Sequence, residues 1–211
     1  MVNSIAIYIE GGGDTANTKS FLREGYSAFF DSVRELARKK AIRWQLVICG
    51  GRSQAYAAFV DAVKQEPEVF NVLLVDSEDP VAISVSPWAH LENRKGDRWT
   101  KPTDVDDSQC QMMVACMEAW FLADLAALKR HFGGNFDAEK CPAANLAESR
   151  TKDNIHDALR QATRNTPAKE YQKIRDGAGL LKRLDAGAVR THCKWCDRLF
   201  AQLERTIGGR L

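Results

Sequence analysis

Three short apolar runs constrain the fold of this chain more than any other feature. They are Ser4–Ile9, Gln45–Cys49 and Val72–Val75. Each run is apolar at successive positions, which is typical of strands covered by helices on both faces. Strands of that kind belong to the middle of parallel sheets. The sequence therefore predicts a central parallel sheet.

The segments between these runs carry apolar residues at helical spacing. Thr18–Lys40 follows the first run, and Ser53 is expected to cap a second helix after Gly50-Gly51. Strands and helices thus alternate, which implies right-handed crossovers in a doubly wound sheet. We expect an α/β fold of the Rossmann-like class, with a mainly parallel sheet flanked by helices.

A long polar connection follows the third run. Residues 80–109 are too many for a simple loop and are expected to form a flap or rim of a site. Cys110–Met117 is the predicted fourth strand, and Glu118 opens a predicted helix that runs to about Arg130.

Gly133-Gly134 marks the predicted boundary of the α/β core. Residues 1–132 form this expected core, and residues 133–211 form a basic, helical C-terminal extension packed on it. In the extension, Thr151 is a predicted helix cap. The stretch 189–207 is predicted as one last helix, because its apolar residues fall on one stripe.

Charge is distributed unevenly between the two ends of the chain. Residues 1–149 carry 16 Lys/Arg against 21 Asp/Glu, whereas residues 150–211 carry 14 against 7. An acidic part joined to a basic part indicates either a polyanionic partner held near a metal site or salt bridges between the two parts. The sequence leaves both open.

The cysteines and the N-terminus bear on the compartment. The six cysteines have no framework spacing, which predicts reduced thiols in the cytoplasm. No apolar run approaches the roughly 20 residues that a membrane helix needs. Met1–Glu10 is apolar but short and lacks basic residues, so a first strand is expected rather than a signal peptide.

Five acidic residues stand where the predicted strands end. Glu10 ends the first strand, Asp76 ends the third and is followed by Glu78 and Asp79, and Glu118 follows the fourth. The carboxyl ends of parallel strands meet at one edge, where ligands bind. Two like charges about 4 Å apart repel by roughly 4 kcal/mol at an effective dielectric of about 20, so the cluster calls for a cation. Oxygen ligands without histidine favour Mg²⁺, Mn²⁺ or Ca²⁺ over zinc.

Each of these positions also has a simpler interpretation. Strand-end acids are often helix caps or loop charges, and Asp14 is either a cap of the first helix or a member of the site. Gly11–Gly13 lacks the lysine and the spacing of a phosphate loop, so a tight turn beside Glu10 is expected. Arg52 is predicted to bind a substrate phosphate, with a surface salt bridge as the alternative.

Aromatic and cysteine residues outside the acidic cluster leave similar choices. Trp88 and Trp99, in the polar connection, would either stack on nucleic-acid bases or anchor the loop. Cys193 and Cys196 lack the second pair of a zinc site and fall on the apolar stripe, which favours a place in the core.

Basic residues are frequent in the C-terminal part, where they would face either water or a phosphate backbone. Lys169 and Lys173 are four residues apart, so a helix would present both on one face. They are the predicted phosphate-binding pair. The full set of these basic residues comprises Lys169, Lys173, Arg175, Lys182, Arg183, Arg190, Lys194 and Arg198.

Several motifs together resemble DUF4276, a bacterial Toprim-like family of uncharacterised function. They are Glu10–Thr15 after the first strand, Asp76–Asp79 after the third, and Met117–Asp124. The similarity runs through most of the chain and includes Gly50–Arg52 and Lys169–Lys173. The resemblance implies a Toprim fold.

The Toprim fold is shared by topoisomerases, primases and overcoming-lysogenization-defect nucleases. These use a glutamate after strand one and a paired Asp-x-Asp after strand three. The resemblance thus implies that Glu10 is a general acid/base or metal ligand and that Asp76 and Glu78 hold Mg²⁺. Asp79 is an alternative ligand, because Glu78 departs from the aspartate of the pattern. Glu118 is similar to a glutamate of phage-defence Toprim nucleases and is implied as a further ligand.

Two functions follow from the resemblance. The first is a Mg²⁺- or Mn²⁺-dependent nuclease of DNA or RNA, with Glu10, Asp76, Glu78 and Glu118 as catalytic residues and a role in anti-phage defence beside an ATPase partner. The second is a non-catalytic regulatory or adaptor subunit of an ATPase complex. A phosphatase of small esters would leave the basic C-terminal part unexplained, and homodimerisation is left open.

Overall fold

The computed structural model describes residues 2–13 and 15–209, and Asp14, with its predicted capping or site role, lies outside them. The described residues form one sheet of four strands in the order β2-β1-β3-β4, and every neighbouring pair is parallel. The strands are β1 Ser4–Glu10, β2 Arg43–Gly50, β3 Phe70–Asp76 and β4 Cys110–Met113.

Helices cover both faces of this sheet. Side chains of β3 alternate between two apolar clusters, with Val72 and Leu74 in the larger cluster and Leu73 and Val75 in the smaller one. The predicted α/β class, a Toprim/Rossmann-like parallel sheet flanked by helices, is therefore confirmed. The helices are α1 Ala16–Phe29, α2 Asp31–Lys39, α3 Arg52–Gln65, α4 Pro87–Asn93, α5 Glu118–Ala123, α6 Leu125–Phe132, α7 Lys152–Thr163, α8 Lys173–Leu181, α9 Ala186–His192 and α10 Lys194–Ile207.

Three predicted helices are broken or begin elsewhere. Phe30 separates α1 from α2, and Asp124 separates α5 from α6 because its side chain accepts a hydrogen bond from the backbone N–H of Ala127 at 2.9 Å. The helix after β2 begins at Arg52 with Gly51 as its cap, so the prediction that Ser53 caps it is wrong.

The fourth strand is shorter than predicted. It ends at Met113, and the next residues turn so that their backbone meets the end of β3. The carbonyl of Ala115 accepts a hydrogen bond from the N–H of Glu78 at 2.8 Å, and the N–H of Met117 donates to Asp76 Oδ1 at 3.0 Å. These hydrogen bonds take the place of further pairing between β3 and β4, and they fix the positions of Asp76 and Glu78.

The long connection after β3 is held down by its tryptophans. Trp88 and Trp99 are buried, and Trp99 stacks on Tyr56 with ring centroids 4.5 Å apart. Of the two alternatives for these tryptophans, the structure supports loop anchoring, because both rings are buried.

The C-terminal part differs from the prediction in two places. The last helix is split at Cys193 into α9 and α10, and Cys193 and Cys196 are both buried in the core. Lys169 has a φ of 64° and lies outside any helix, whereas Lys173 is the first residue of α8. The prediction that these lysines share a helix face is therefore wrong.

C-terminal helices complete the larger apolar cluster. Phe200 of α10 packs on Phe29 and Phe30, with ring centroids 5.5 and 5.4 Å apart. The domain boundary between residues 132 and 133 stays a prediction. Among the described residues, no helix has the length and hydrophobicity to cross a membrane.

Candidate metal centre at the carboxyl edge of the sheet

Three of the predicted carboxylates meet at the carboxyl edge of the sheet. Glu10 ends β1, Asp76 ends β3, and Glu78 lies two residues further on. Each offers a carboxylate oxygen within 4.8 Å of those of the other two. These three residues are called the carboxylate cluster below.

The local backbone explains how the three side chains converge. Glu10 Oε2 accepts a hydrogen bond from the N–H of Asp76 at 3.1 Å, which ties β1 to β3. Glu78 has a φ of 70°, a conformation that non-glycine residues rarely adopt. Gly12 has a φ of 85°, and a Cβ there would lie 2.8 Å from the Ile48 side chain. Gly11–Gly13 therefore forms a tight turn behind Glu10, as predicted.

The other two predicted acids lie outside this cluster. Asp79 has a side chain that is 67% exposed and lies 3.9 Å from Arg94, so the structure separates it from Glu78. Glu118 is fully buried at the start of α5, where its Oε1 accepts a hydrogen bond from the Tyr171 hydroxyl at 3.0 Å.

Arg52 lies against the carboxylate cluster. Its Nη1 is 3.0 Å from Glu10 Oε2 and also donates to the backbone carbonyl of Asp76. Asp97 accepts two hydrogen bonds from the same guanidinium, each 2.7 Å long. Arg52 therefore forms salt bridges, as the alternative prediction had it, but these lie within the site, with Glu10 and Asp97, and not on the open surface.

Two lysines contact the acids from the C-terminal part. Lys152 Nζ is 3.1 Å from Asp76 Oδ2 and 2.7 Å from Glu78 Oε1. Lys173 Nζ is 3.8 Å from Asp76 Oδ2 and 3.5 Å from Glu118 Oε1. The site is therefore compatible with both interpretations of the uneven charge: a polyanionic partner held near a metal site, and salt bridges between the acidic and basic parts of the chain.

Lys152 was missed by sequence reasoning. It lies 76 residues beyond Asp76, and no motif surrounds it. Only the neighbouring Thr151 cap was predicted, and its hydroxyl does accept a hydrogen bond from the N–H of Asn154. Lys169, by contrast, was predicted, but the structure gives it no ion pair with the cluster among the described residues.

A second group of potential ligands surrounds Glu118. Atoms of Cys116, Glu118 and His156 lie within 4.8 Å of one another. His156 Nε2 is 3.5 Å from Glu118 Oε1, and neither this nitrogen nor Glu118 Oε2 has a hydrogen-bond partner among the described residues. Sequence reasoning did not connect Cys116 or His156 with the site.

Burial and neighbouring charges separate the acids. Burial, followed by the charge of Asp76, raises the pKa of Glu10 to about 7 despite Arg52. Burial likewise raises the pKa of Asp76, although Lys173 and Lys152 oppose the rise. Burial alone would raise the pKa of Glu118 too, but the His156 imidazole and Lys173 outweigh it and hold that pKa at about 2.

These properties fit a hard divalent cation. The carboxylate cluster offers oxygen ligands only, and the raised pKa values of Glu10 and Asp76 mean that the nearby cations compensate their charges incompletely. Lys152 lies where it would compete with such an ion for Asp76 and Glu78.

Comparison with known proteins places the chain in a family. Residues 9–204 match a family described as "Domain of unknown function (DUF4276)". No curated protein and no solved structure matches the chain. Because the family match covers nearly all of the sequence, the chain belongs to the DUF4276 family.

Proposed function

We propose that this protein is a Mg²⁺- or Mn²⁺-dependent nuclease of the Toprim type that cleaves phosphodiester bonds of DNA or RNA. The observation that carries the proposal is the convergence of Glu10, Asp76 and Glu78, with oxygens within 4.8 Å of one another, in reach of three basic side chains. A group of carboxylates alone is found in many kinds of metal site, whereas carboxylates beside basic side chains can hold a metal ion and a phosphate group together.

Each residue has a role in this proposal. Glu10, Asp76 and Glu78 would hold Mg²⁺, which supplies Lewis-acid stabilisation and an activated water when bound. Arg52 and Lys173, the cations beside Glu10 and Asp76, would bind the phosphate that undergoes cleavage. Glu118 is too buried to touch a substrate, and it supports the site by fixing Lys173 at 3.5 Å.

The proposal is tested by incubating the full chain with plasmid, single-stranded DNA and tRNA, each with Mg²⁺ and with Mn²⁺. We expect metal-dependent cleavage of at least one substrate, which Asp76→Asn abolishes and Asp79→Asn retains. Asp79 is the matched control, because its side chain is exposed and outside the carboxylate cluster. Cleavage that survives in Asp76→Asn would refute the role of the cluster.

A non-catalytic regulatory or adaptor subunit is the second candidate, and Lys152 favours it. Its ammonium contacts both Asp76 and Glu78, so these acids have a counter-ion without a metal. This candidate predicts that Mg²⁺ leaves the melting temperature unchanged, whereas a metal site raises it by mass action. It also predicts that Glu10→Gln leaves binding to a partner ATPase intact.

The biological setting belongs to the same proposal. We place the protein in the cytoplasm, in agreement with its six free thiols. Action beside an ATPase in anti-phage defence is proposed from the family resemblance. Infection of cells that carry the protein together with a candidate partner ATPase tests this role, and Asp76→Asn should abolish protection.

A further inference from the structure

A cleft opens near the carboxylate cluster, between the N-terminal half of α1 and the length of α8. Its volume is about 650 Å³, within the roughly 300–1,000 Å³ of small-ligand sites. Two of its lining residues adjoin the cluster: Gly11 follows Glu10, and the backbone N–H of Met117 donates to Asp76 Oδ1 at 3.0 Å. This α1–α8 cleft is lined among others by Gly11, Phe21, Met117, Lys173, Ile174 and Lys182.

Two apolar side chains of the cleft are unusually exposed. Phe21 on α1 is 60% exposed and Ile174 on α8 is 75% exposed. In the described part of the chain, these are the two most exposed of the large apolar side chains, and both line the same cleft. Exposed apolar surface concentrated in one concave site indicates a ligand that covers it.

The charge of the cleft limits what that ligand can be. Its described lining contains Lys173, Arg175 and Lys182 and no acidic residue. All three cations have acidic partners outside the lining. Lys182 pairs with Glu24 and Arg175 with Asp176, each at 2.7 Å, and Lys173 lies 3.5 Å from Glu118. Lys173 links the cleft to Asp76 at 3.8 Å. The ligand is therefore expected to join an anion to an apolar group that packs on Phe21 and Ile174.

We propose that the α1–α8 cleft binds an unpaired nucleotide of a single strand, with its base on Phe21 and its phosphate towards Lys173. A base offers a face for stacking on an aromatic ring, which sequence-independent single-strand binding uses. In a duplex, that face is stacked on neighbouring bases and cannot enter the cleft. This inference rests on the proposed function, because it names the substrate class of the same site.

Binding is tested apart from cleavage. The full chain is titrated in EDTA against a fluorescent 12-nucleotide single strand, the matching duplex and AMP. The single strand should bind tightest, and Phe21→Ala should weaken it by between about 5-fold and 150-fold. Phe21→Tyr should retain binding and Phe21→Leu should lose it, because stacking needs the ring. Leu146→Ala, at an apolar side chain that is 40% exposed and outside the cleft, is the control.

Several outcomes would overturn the inference. Equal binding of the duplex would remove the single-strand assignment, and AMP binding as tightly as the strand would point to a free nucleotide. Wild-type binding by Phe21→Leu would indicate an apolar surface for a partner protein. Failure of the proposed function is distinct from these, because it would appear as stacking-dependent binding without any metal-dependent cleavage.

Discussion

Glu10 is the residue whose protonation governs the attraction of the site for a cation near neutral pH. Burial and the charge of Asp76 raise its pKa from 4.5 to about 7. A divalent ion must therefore displace a proton below pH 7, and its affinity should fall by up to about tenfold per pH unit below that value. We expect a larger Mg²⁺-induced rise in melting temperature at pH 8 than at pH 6.

The variant Glu10→Gln provides the control for this pH dependence. It should bind Mg²⁺ more weakly, and its Mg²⁺ response should change less between the two pH values than that of the wild type, with Asp76 as the remaining carboxylate of raised pKa. Without metal, stability changes with pH in the opposite direction to metal affinity: it falls as the pH rises. The reason is that the folded protein holds a proton on Glu10 between pH 4.5 and 7, which the unfolded chain has released. The contribution of Glu10 to stability is therefore lost as the pH rises through 7. A metal response that is unchanged between pH 6 and pH 8 would contradict the raised pKa.

Lys152 is the residue that decides between a resident ammonium and a metal. Lys152→Met leaves Asp76 and Glu78 without their closest cation, so the free energy of unfolding without metal should fall by about 1–3 kcal/mol. The same change removes a competitor, so the Mg²⁺-induced rise in melting temperature should grow. Thermal unfolding with and without Mg²⁺ measures both effects, with Lys169→Met as the control. A variant that loses its Mg²⁺ response would instead make Lys152 part of the metal site.

The packing of α1 against α8 depends on one glycine. A Cβ at Gly25 would lie 2.9 Å from the carbonyl oxygen of Ala178, a backbone atom that cannot move without the helix. Gly25→Ala should therefore lower the free energy of unfolding by about 1–3 kcal/mol, although alanine favours helices. Chemical denaturation measures the change, and the same shift should distort the α1–α8 cleft.

Gly177 is the matched control within α8. A Cβ there would meet only the terminal methyl of Met117 at 3.4 Å, an ordinary contact with a flexible side chain. Gly177→Ala should be neutral or stabilise the protein by up to about 1 kcal/mol, because it lowers the entropy of the unfolded chain. Equal effects of the two substitutions would mean that helix propensity, and not the close approach, dominates at Gly25.

At the scale of the whole molecule, the C-terminal helices complete the core. Phe200 is fully buried and its ring packs on Phe29 and Phe30. Phe200→Ala should lower the free energy of unfolding by about 3–5 kcal/mol. Phe21→Ala, at an exposed phenylalanine, should change it by no more than about 0.5 kcal/mol.

A fragment of residues 1–132 is expected to lack cooperative thermal unfolding, and a cooperative transition would support the predicted boundary.

Features of the fold that rest on local patterns were predictable. The buried strands show in runs such as Val72–Val75, because a strand covered on both faces must be apolar throughout. Interruptions of helices were missed at Phe30, Asp124 and Cys193, because apolar periodicity continues across them while the chain changes direction. The end of β4 at Met113 was missed for a related reason: its next residues are apolar but bond to Glu78 and Asp76.

The acidic residues at the ends of parallel strands were predictable from the sequence, because strand order and polarity bring Glu10 and Asp76 to one edge. Which charges face these acids depends instead on how distant helices pack against the sheet. Lys152 reaches Asp76 and Glu78 from a distant helix, while Asp79 turns to Arg94 although it adjoins Glu78. Contacts between residues far apart in the chain depend on helix packing, which leaves no periodic trace in the sequence.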